Sequence, residues 1–436
     1  MTDVASRYRD FLILLWQNSM LPAGVVSLAD GTHVEIIHPG TATGSGGHGP
    51  DFTHAALRYP AIDLTLHGSI RIDRCSSDWR QAGTVSNPAF DSLILHVVAS
   101  HDHVIVRGER PVPTLVLSPD ARLDEFYLSL VEGRGGKGCV EFMTGLDELY
   151  RGQIFSRVMS DRLARKSGEI LDILASVDGD WHETAYIAFM KAFGYKERKK
   201  AYENLARSMP YRHLRLHSDD PSSLEAMLLD QAGYLEVQNP DDYTRRLQDE
   251  YITLRKRYNL LPYPLRWRVE AMRPQYMPAQ SLARIAAILA REESLLERVL
   301  TAKDIYELIS VFDITLPEYW QRHYVPSHPS SGTISYGTTL RQIDLLIINF
   351  VIPLWVAYGT HHSNDQMRER ALDLYESIKP EENHITRHWS SQGMPVENAF
   401  TSQAAIQLST EYCNKAACAL CPVGAERLRR LFRRQQ

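Results

Sequence analysis

Hydrophobic positions recur along the chain with two different periods, and the change of period divides it. Near the start, Tyr8, Phe11, Leu12, Leu15 and Trp16 fall at helical spacing, which predicts an opening amphipathic helix. From Gly24 to about Ser118, aliphatic and β-branched residues alternate with polar ones, punctuated by turn signals at Asp30-Gly31, Pro39-Gly40 and Asn87-Pro88. This alternation predicts strands at 24–28, 33–37, 52–58, 62–67, 69–74, 92–98, 103–107 and 114–117, in a domain built on antiparallel pairing. The stretch Gly133-Arg134-Gly135-Gly136-Lys137-Gly138 lacks the spacing and the following Ser or Thr of a phosphate-binding loop, and reads as an interdomain connector. Beyond it the period is helical, as in Ile170, Ile173, Leu174 and Val177, then Ala185, Phe189, Ala192 and Phe193, then Leu282, Ile285, Ile288 and Leu289. Prolines 262, 264, 274 and 278 divide this region, because proline inside a helix removes a hydrogen bond. The fold class is therefore α+β: a β-rich domain over 1–132, a connector over 133–139 and a helical region over 140–436.

Composition adds size and partners. The 436 residues are 44% hydrophobic and 23% charged, enough for two or three domains each with a core. The apolar run 11–16 is far shorter than the roughly 20 residues of a membrane span, and no later stretch reads as longer, so no membrane partner is expected. Met1 to Asp10 carries Asp3 and Asp10 and lacks a basic leader, which reads as a cytoplasmic protein. Five cysteines, odd in number and unevenly placed, argue against a disulfide scaffold. A net charge of -5 gives no global pull toward nucleic acid, leaving only a local patch such as Arg427, Arg429, Arg430, Arg433 and Arg434, whose bland reading is a solvated helix end.

Two constellations carry candidate chemistry. In the first, His48-Gly49-Pro50-Asp51-Phe52 delivers an aspartate to the start of a strand, and Arg71-Ile72-Asp73 follows on another. Residues two apart on a strand project together, so Arg71 and Asp73 share a face. Carboxylates so placed supply hard oxygen ligands to a divalent cation that activates water. Asp78, in Ser76-Ser77-Asp78-Trp79, and His96, within Leu93-Ile94-Leu95-His96-Val97-Val98, are further members of such a pocket; a lone His in an apolar strand also reads as a core residue. The spacing resembles the PD-(D/E)XK nuclease superfamily. Pro50 and Asp51 match, but Arg71 stands where the second acid belongs and Asp73 where the lysine belongs, a charge order that repels the cation.

The second is Cys413-Asn414-Lys415-Ala416-Ala417-Cys418-Ala419-Leu420-Cys421-Pro422, placed after a helix that runs from 398 or 401 to 412. Thiolates at C-x4-C-x2-C can converge on zinc, with Cys139 as the natural fourth ligand and His384 or His388 as substitutes. The same run suits an iron–sulfur cluster, and reduced thiols packed at a helix end are the plain alternative.

The ordered motifs Gly49-Pro50-Asp51-Phe52, Ser76-Ser77-Asp78-Trp79, Pro88-Ala89-Phe90-Asp91, Gly179-Asp180-Trp181-His182-Glu183-Thr184, Gln231-Ala232-Gly233-Tyr234-Leu235, Ser402-Gln403-Ala404 and the terminal cysteines resemble the bacterial domain-of-unknown-function family DUF2851 over nearly the whole chain. In that family the strand before Ser-Ser-Asp-Trp reads Glu-x-His and a His-rich segment follows. The resemblance implies that here, with Arg71, Asp73 and Gln81-Ala82-Gly83-Thr84-Val85, a metal site has been lost while the cysteines are kept. Three readings stay open: a catalytically degenerate nuclease-like protein that binds nucleic acid or a protein partner; an active metal-dependent nuclease or hydrolase using Asp51, Asp73, Asp78 and His96; and a helical interaction scaffold. Oligomeric state has no signature in the sequence.

Overall fold

The structure, a computed structural model, describes residues 4–20, 24–44, 49–81, 87–133, 137–194, 198–261 and 277–434. His48, residues 134–136 of the glycine-rich stretch, Ala82-Gly83-Thr84-Val85, Pro262, Pro264 and Arg273-Pro274 lie outside the described residues. The chain divides into two compact units. The first holds Met1–Met159, Glu382–Pro395 and Ala404–Gln436; the second holds Ser160–Glu381 and Val396–Gln403. The first unit thus runs past the glycine-rich stretch and takes up the chain's last segment.

Helix α1 (Val4–Gln17) opens the first unit, as its helical spacing requires, with Phe11, Leu12, Leu15 and Trp16 fully buried. The strands follow: β1 (Val25–Ser27), β2 (His33–His38), β3 (Thr41–Ala42), β4 (Phe52–Tyr59) and β5 (Leu64–Cys75). A single-turn helix α2 (Asp78–Gln81) leads to β6 (Leu93–Ser100), β7 (Val106–Arg107), β8 (Arg110–Pro111) and β9 (Thr114–Val116). The main sheet has the order β1-β2-β4-β5-β6-β9, with β3 beside β4. Strands β2, β4 and β5 form an antiparallel meander, whereas β6 lies parallel to β5 and β9 parallel to β6.

The expectation of antiparallel pairing throughout is corrected by those parallel strands. Alternation shows which residues face which side but carries no strand direction. Here the segment through α2 crosses over and returns β6 in the same sense as β5, as a parallel connection must. The two strands expected at 62–67 and 69–74 are one strand, β5. Gly68 marks a close approach and not a turn: a Cβ there would lie 2.2 Å from the Ser92 carbonyl oxygen at the entry to β6.

One face of the sheet, with Phe52, Ile70, Ile72, Leu95 and Val97, packs with α1 and helix α3 (Ala121–Glu132) into a continuous core. The last helix, Pro422–Arg433, adds Ala425 and Leu428 to it. The other face carries a smaller cluster of Trp79, Phe90 and Ile105.

Helix α4 (Lys137–Thr144) precedes the long α5 (Glu148–Ser176), whose second half enters the second unit. There follow α6 (Trp181–Phe193), capped by the Asp180 side chain, and α7 (Arg198–Ser208), and the second unit continues helical. The helix Leu340–His361 corrects the reading that no stretch is long enough to span a bilayer: its 22 residues, mean hydropathy 1.7, meet that length and composition, with 72% of the apolar window buried inside the protein. Pro353 interrupts it in sequence but not in space: it follows a wide turn at Ile347–Val351 and falls in the first turn of the segment Ile352–His361, where a missing N–H is tolerated.

Candidate functional site

Asp51, Arg71, Asp73 and His96 meet at the N-terminal end of β4, beside β5 and β6. Pleating sends Ile70 and Ile72 into the large core and puts Arg71 and Asp73 on the other face, and the parallel register sets His96 opposite Arg71. Asp73 is 2% exposed and His96 fully buried. One Asp73 oxygen, Oδ1, accepts from Arg71 Nη2 at 2.9 Å and Nε at 3.0 Å. The other, Oδ2, accepts from His96 Nε2 at 3.1 Å, which sets the Nε2–H tautomer and leaves His96 Nδ1 buried without a hydrogen-bond partner. Burial alone pushes the Asp73 carboxyl up, but the hydrogen bonds from His96 and Arg71 and the Arg71 charge outweigh it and hold the group below the ordinary carboxylate value. Arg71 Nη1 also donates to the Gly49 carbonyl at 3.0 Å, and its guanidinium lies 6.0 Å from the Phe90 ring centre.

The sequence pattern missed one member, Arg9 of α1. Its Nη2 donates to Asp51 Oδ1 at 2.5 Å, its Nε to the Ile72 carbonyl at 2.8 Å, and the same Nε stands 3.4 Å from Asp73 Oδ1. Asp51 Oδ2 accepts the Ile72 N–H at 2.8 Å and lies 3.8 Å from Arg71 Nε. Nothing in the sequence joins Arg9 to an aspartate 42 positions away; helical spacing marks only the apolar face of α1. Two carboxylates and two guanidiniums thus form an electroneutral cluster in which every carboxylate oxygen already has a donor. Asp78 serves elsewhere: it accepts the Cys75 N–H at 3.1 Å and lies 3.8 Å from Arg74. Chemically, such a cluster ties β5, β6 and α1 to the head of β4, and a cation would have to compete with the donors already on the carboxylates.

The second constellation also comes together within the first unit. The predicted helix before it is Ala399–Gln407, continued by a wide turn, Leu408–Cys413, that ends on the first cysteine. Ala416 then takes a left-handed conformation, φ 51°, and the loop folds back so closely that a Cβ on Gly424 would lie 2.2 Å from the Cys418 carbonyl oxygen. Cys421 sits at the start of the last helix with the backbone N–H groups of Val423 and Gly424 turned to its sulfur. Burial pushes the Cys413 thiol up to about 12, with Cys139 and Cys418 near enough to add to the shift. Cys418 is likewise raised by burial to about 11, and Cys421 is raised by burial with Cys413 and Cys139 contributing. The fourth cysteine of the expected set, half-buried Cys139, accepts through Sγ from Arg427 Nη1 at 3.2 Å. Among the described residues no three His, Cys, Asp or Glu side chains are already arranged as a metal-holding group.

The terminal arginines are not a solvated patch. Arg427 lies 5.1 Å over Phe126, Arg429 Nε donates to Asn18 at 2.7 Å, and Arg430 pairs with Glu426 at 3.0 Å and covers Tyr150 at 5.0 Å. Only Arg433 and Arg434 among the five are exposed.

A family model described as "Protein of unknown function (DUF2851)" matches residues 9–384. No curated protein and no solved structure matches the chain.

Proposed function

The chain belongs to the DUF2851 family, and from that premise we propose that its first unit is a nuclease-like module that has lost cleavage chemistry and keeps a binding role toward nucleic acid or a protein partner. The order α1, then the meander β2-β4-β5, then α2 and a parallel β6 supports a likeness to the PD-(D/E)XK arrangement, with Asp51 at the head of the second core strand and Arg71 and Asp73 on the third. One observation carries the loss: Arg9 and Arg71 are bonded to the two carboxylates that a divalent ion would need. Cation binding there must break those pairs and set a doubly charged ion against two guanidiniums, and hard cations need free oxygen ligands at about 2.0–2.6 Å.

The test is cleavage of labelled single- and double-stranded DNA and RNA with Mg²⁺ or Mn²⁺, paired with fluorescence anisotropy on the same oligonucleotides. The expected result is saturable binding with no cleavage. Cleavage that disappears in Asp51→Ala establishes the hydrolase reading; neither binding nor cleavage turns attention to a protein partner.

The thiols form a separate, structural part of this reading. Cys139, Cys413, Cys418 and Cys421 are proposed as ligands of one soft ion, zinc before an iron–sulfur cluster, drawing α4 to the start of the last helix. The C-x4-C-x2-C spacing and the mutual influence of Cys139, Cys413, Cys418 and Cys421 support this, and binding an ion would draw the thiols together and release their protons. Elemental analysis and absorption near ~400 nm separate the outcomes: stoichiometric zinc, an iron charge-transfer band, or metal-free thiols, which end the idea.

A further inference from the structure

In the second unit, helices α5, α6 and α7 leave a small recess beside the wide turn of the helix Leu340–His361. Its walls include Lys166, Lys191, Lys199, Glu169 and Asn349, closed by aliphatic side chains such as Ile170 and Ile173. The cavity is about 30 Å³, room for about two or three waters, or for one tetrahedral oxyanion in their place.

Its charges do not balance. Lys166 Nζ is 3.7 Å and Lys191 Nζ 3.6 Å from the two oxygens of Glu169, so one carboxylate is shared between two ammonium groups. The Arg165 guanidinium takes the same carboxylate at 3.1 Å. Lys191 is also 4.0 Å from Glu203, but Glu203 is held by Arg207 at 3.1 Å and Lys200 at 3.5 Å. Lys199 and the buried Arg162 stand close enough to disfavour charge on Lys166. Arg162 itself spends its guanidinium on the neutral Gln403 amide and keeps Nε without a hydrogen-bond partner. A surplus of cations held in half-buried, aliphatic surroundings is unfavourable until an anion enters.

We propose that the recess framed by Lys166, Lys191 and Lys199 binds the phosphate group of a small ligand. A tetrahedral oxyanion there supplies acceptors to three ammonium donors at once and restores neutrality, with Asn349 as a neutral fourth group. The depressed Lys166, brought by burial to about 7, fits a site built to be completed by a negative charge. The ligand is either free inorganic phosphate or a phosphomonoester such as a nucleoside monophosphate. This inference concerns the second unit and stands whether or not the nuclease-like reading of the first survives.

The experiment is titration calorimetry and thermal unfolding of the full chain with inorganic phosphate, sulfate, ribose 5-phosphate and a nucleoside monophosphate, against chloride at matched ionic strength. Saturable binding of phosphate with a raised Tm is expected. A phosphomonoester that binds more tightly than phosphate identifies a larger ligand; equal or weaker binding identifies the free ion. Lys166→Met and Lys199→Met should each weaken binding about tenfold or more, the loss expected for a charge-assisted hydrogen bond. In the anion's absence Lys166→Met should unfold at the same or a higher temperature, because a like charge has been removed. Two results overturn the proposal: a response to phosphate no larger than to chloride, or anion-free destabilisation by Lys166→Met with phosphate binding unchanged, which marks a lysine placed only to pair with Glu169.

Discussion

Arg71→Met isolates the buried charge pairing of the first unit. Methionine preserves much of the side-chain volume against Phe90 while removing the guanidinium, so Asp73, 2% exposed, is left buried with reduced compensation. Breaking a buried pair by deleting one partner costs about 3–5 kcal/mol. Here His96 at 3.1 Å and Arg9 at 3.4 Å remain on Asp73, so the lower end, about 3 kcal/mol, is expected. In a unit of about 200 residues that lowers Tm by about 6–12 °C, read by calorimetry as a shift of the first unit's transition. The sign with pH is fixed by the Asp73 shift. Its folded value is below the ordinary 3.8, so its stabilisation is present above that value and lost as pH falls through the lowered one. Removing Arg71 leaves the upward push of burial less opposed, so the acid transition moves to higher pH. The double variant Arg71→Met/Asp73→Leu removes both charges and should recover more than half the loss, since a buried pair replaced by apolar side chains is often near neutral. A shift below about 2 °C for the single variant, which corresponds to less than about 1 kcal/mol, or a double variant no better than the single, would refute the reasoning.

Glu225, buried between Tyr243 Oη at 2.9 Å and Trp320 Nε1 at 3.1 Å, is raised by burial from 4.5 to about 7. Its contribution is full below 4.5 and is lost as pH rises through about 7, a swing of about 3 kcal/mol. The second unit should therefore melt lower at pH 8 than at pH 5, and Glu225→Gln should flatten that difference; an unchanged pH profile in the variant rules the assignment out. Gly68→Ala puts a methyl 2.2 Å from the Ser92 carbonyl oxygen and 2.5 Å from Ile94 Cγ2. It should cost about 1–3 kcal/mol in urea unfolding, whereas a neutral result means the β5–β6 approach can relax. Gly424→Ala, 2.2 Å from the Cys418 carbonyl oxygen, should both destabilise the first unit and raise the reactivity of Cys421 toward a thiol reagent. If a metal joins the four cysteines, prolonged chelation should lower the first unit's Tm and Cys139→Ser should remove that sensitivity; a Tm indifferent to both leaves packed thiols.

Periodicity along the chain was enough to place α1, the strands around Phe52–Tyr59 and Leu93–Ser100, the change to helix and the α+β class. The side-chain pattern of an element is set by which of its faces is buried, and that is written locally. It also put Arg71 and Asp73 on one face, since pleating is a property of the backbone, and spacing alone singled out Cys413, Cys418 and Cys421. Strand direction was not legible, because a parallel and an antiparallel β6 bury the same alternate residues. Nor was the role of Gly68, where absence of a side chain reads as a turn in one dimension and as a close approach in three. Arg9 illustrates the limit most sharply. Its charge is visible in the sequence, but its pairing with Asp51 and Asp73 depends on where α1 lies against β5 beside the head of β4. Of the terminal arginines, legible as a basic run, Arg427 and Arg430 became half-buried stacking partners for Phe126 and Tyr150. A charge in sequence has no partner until packing supplies one: the motif already set Arg71 against a cation, and packing added Arg9 and decided which carboxylate each guanidinium meets.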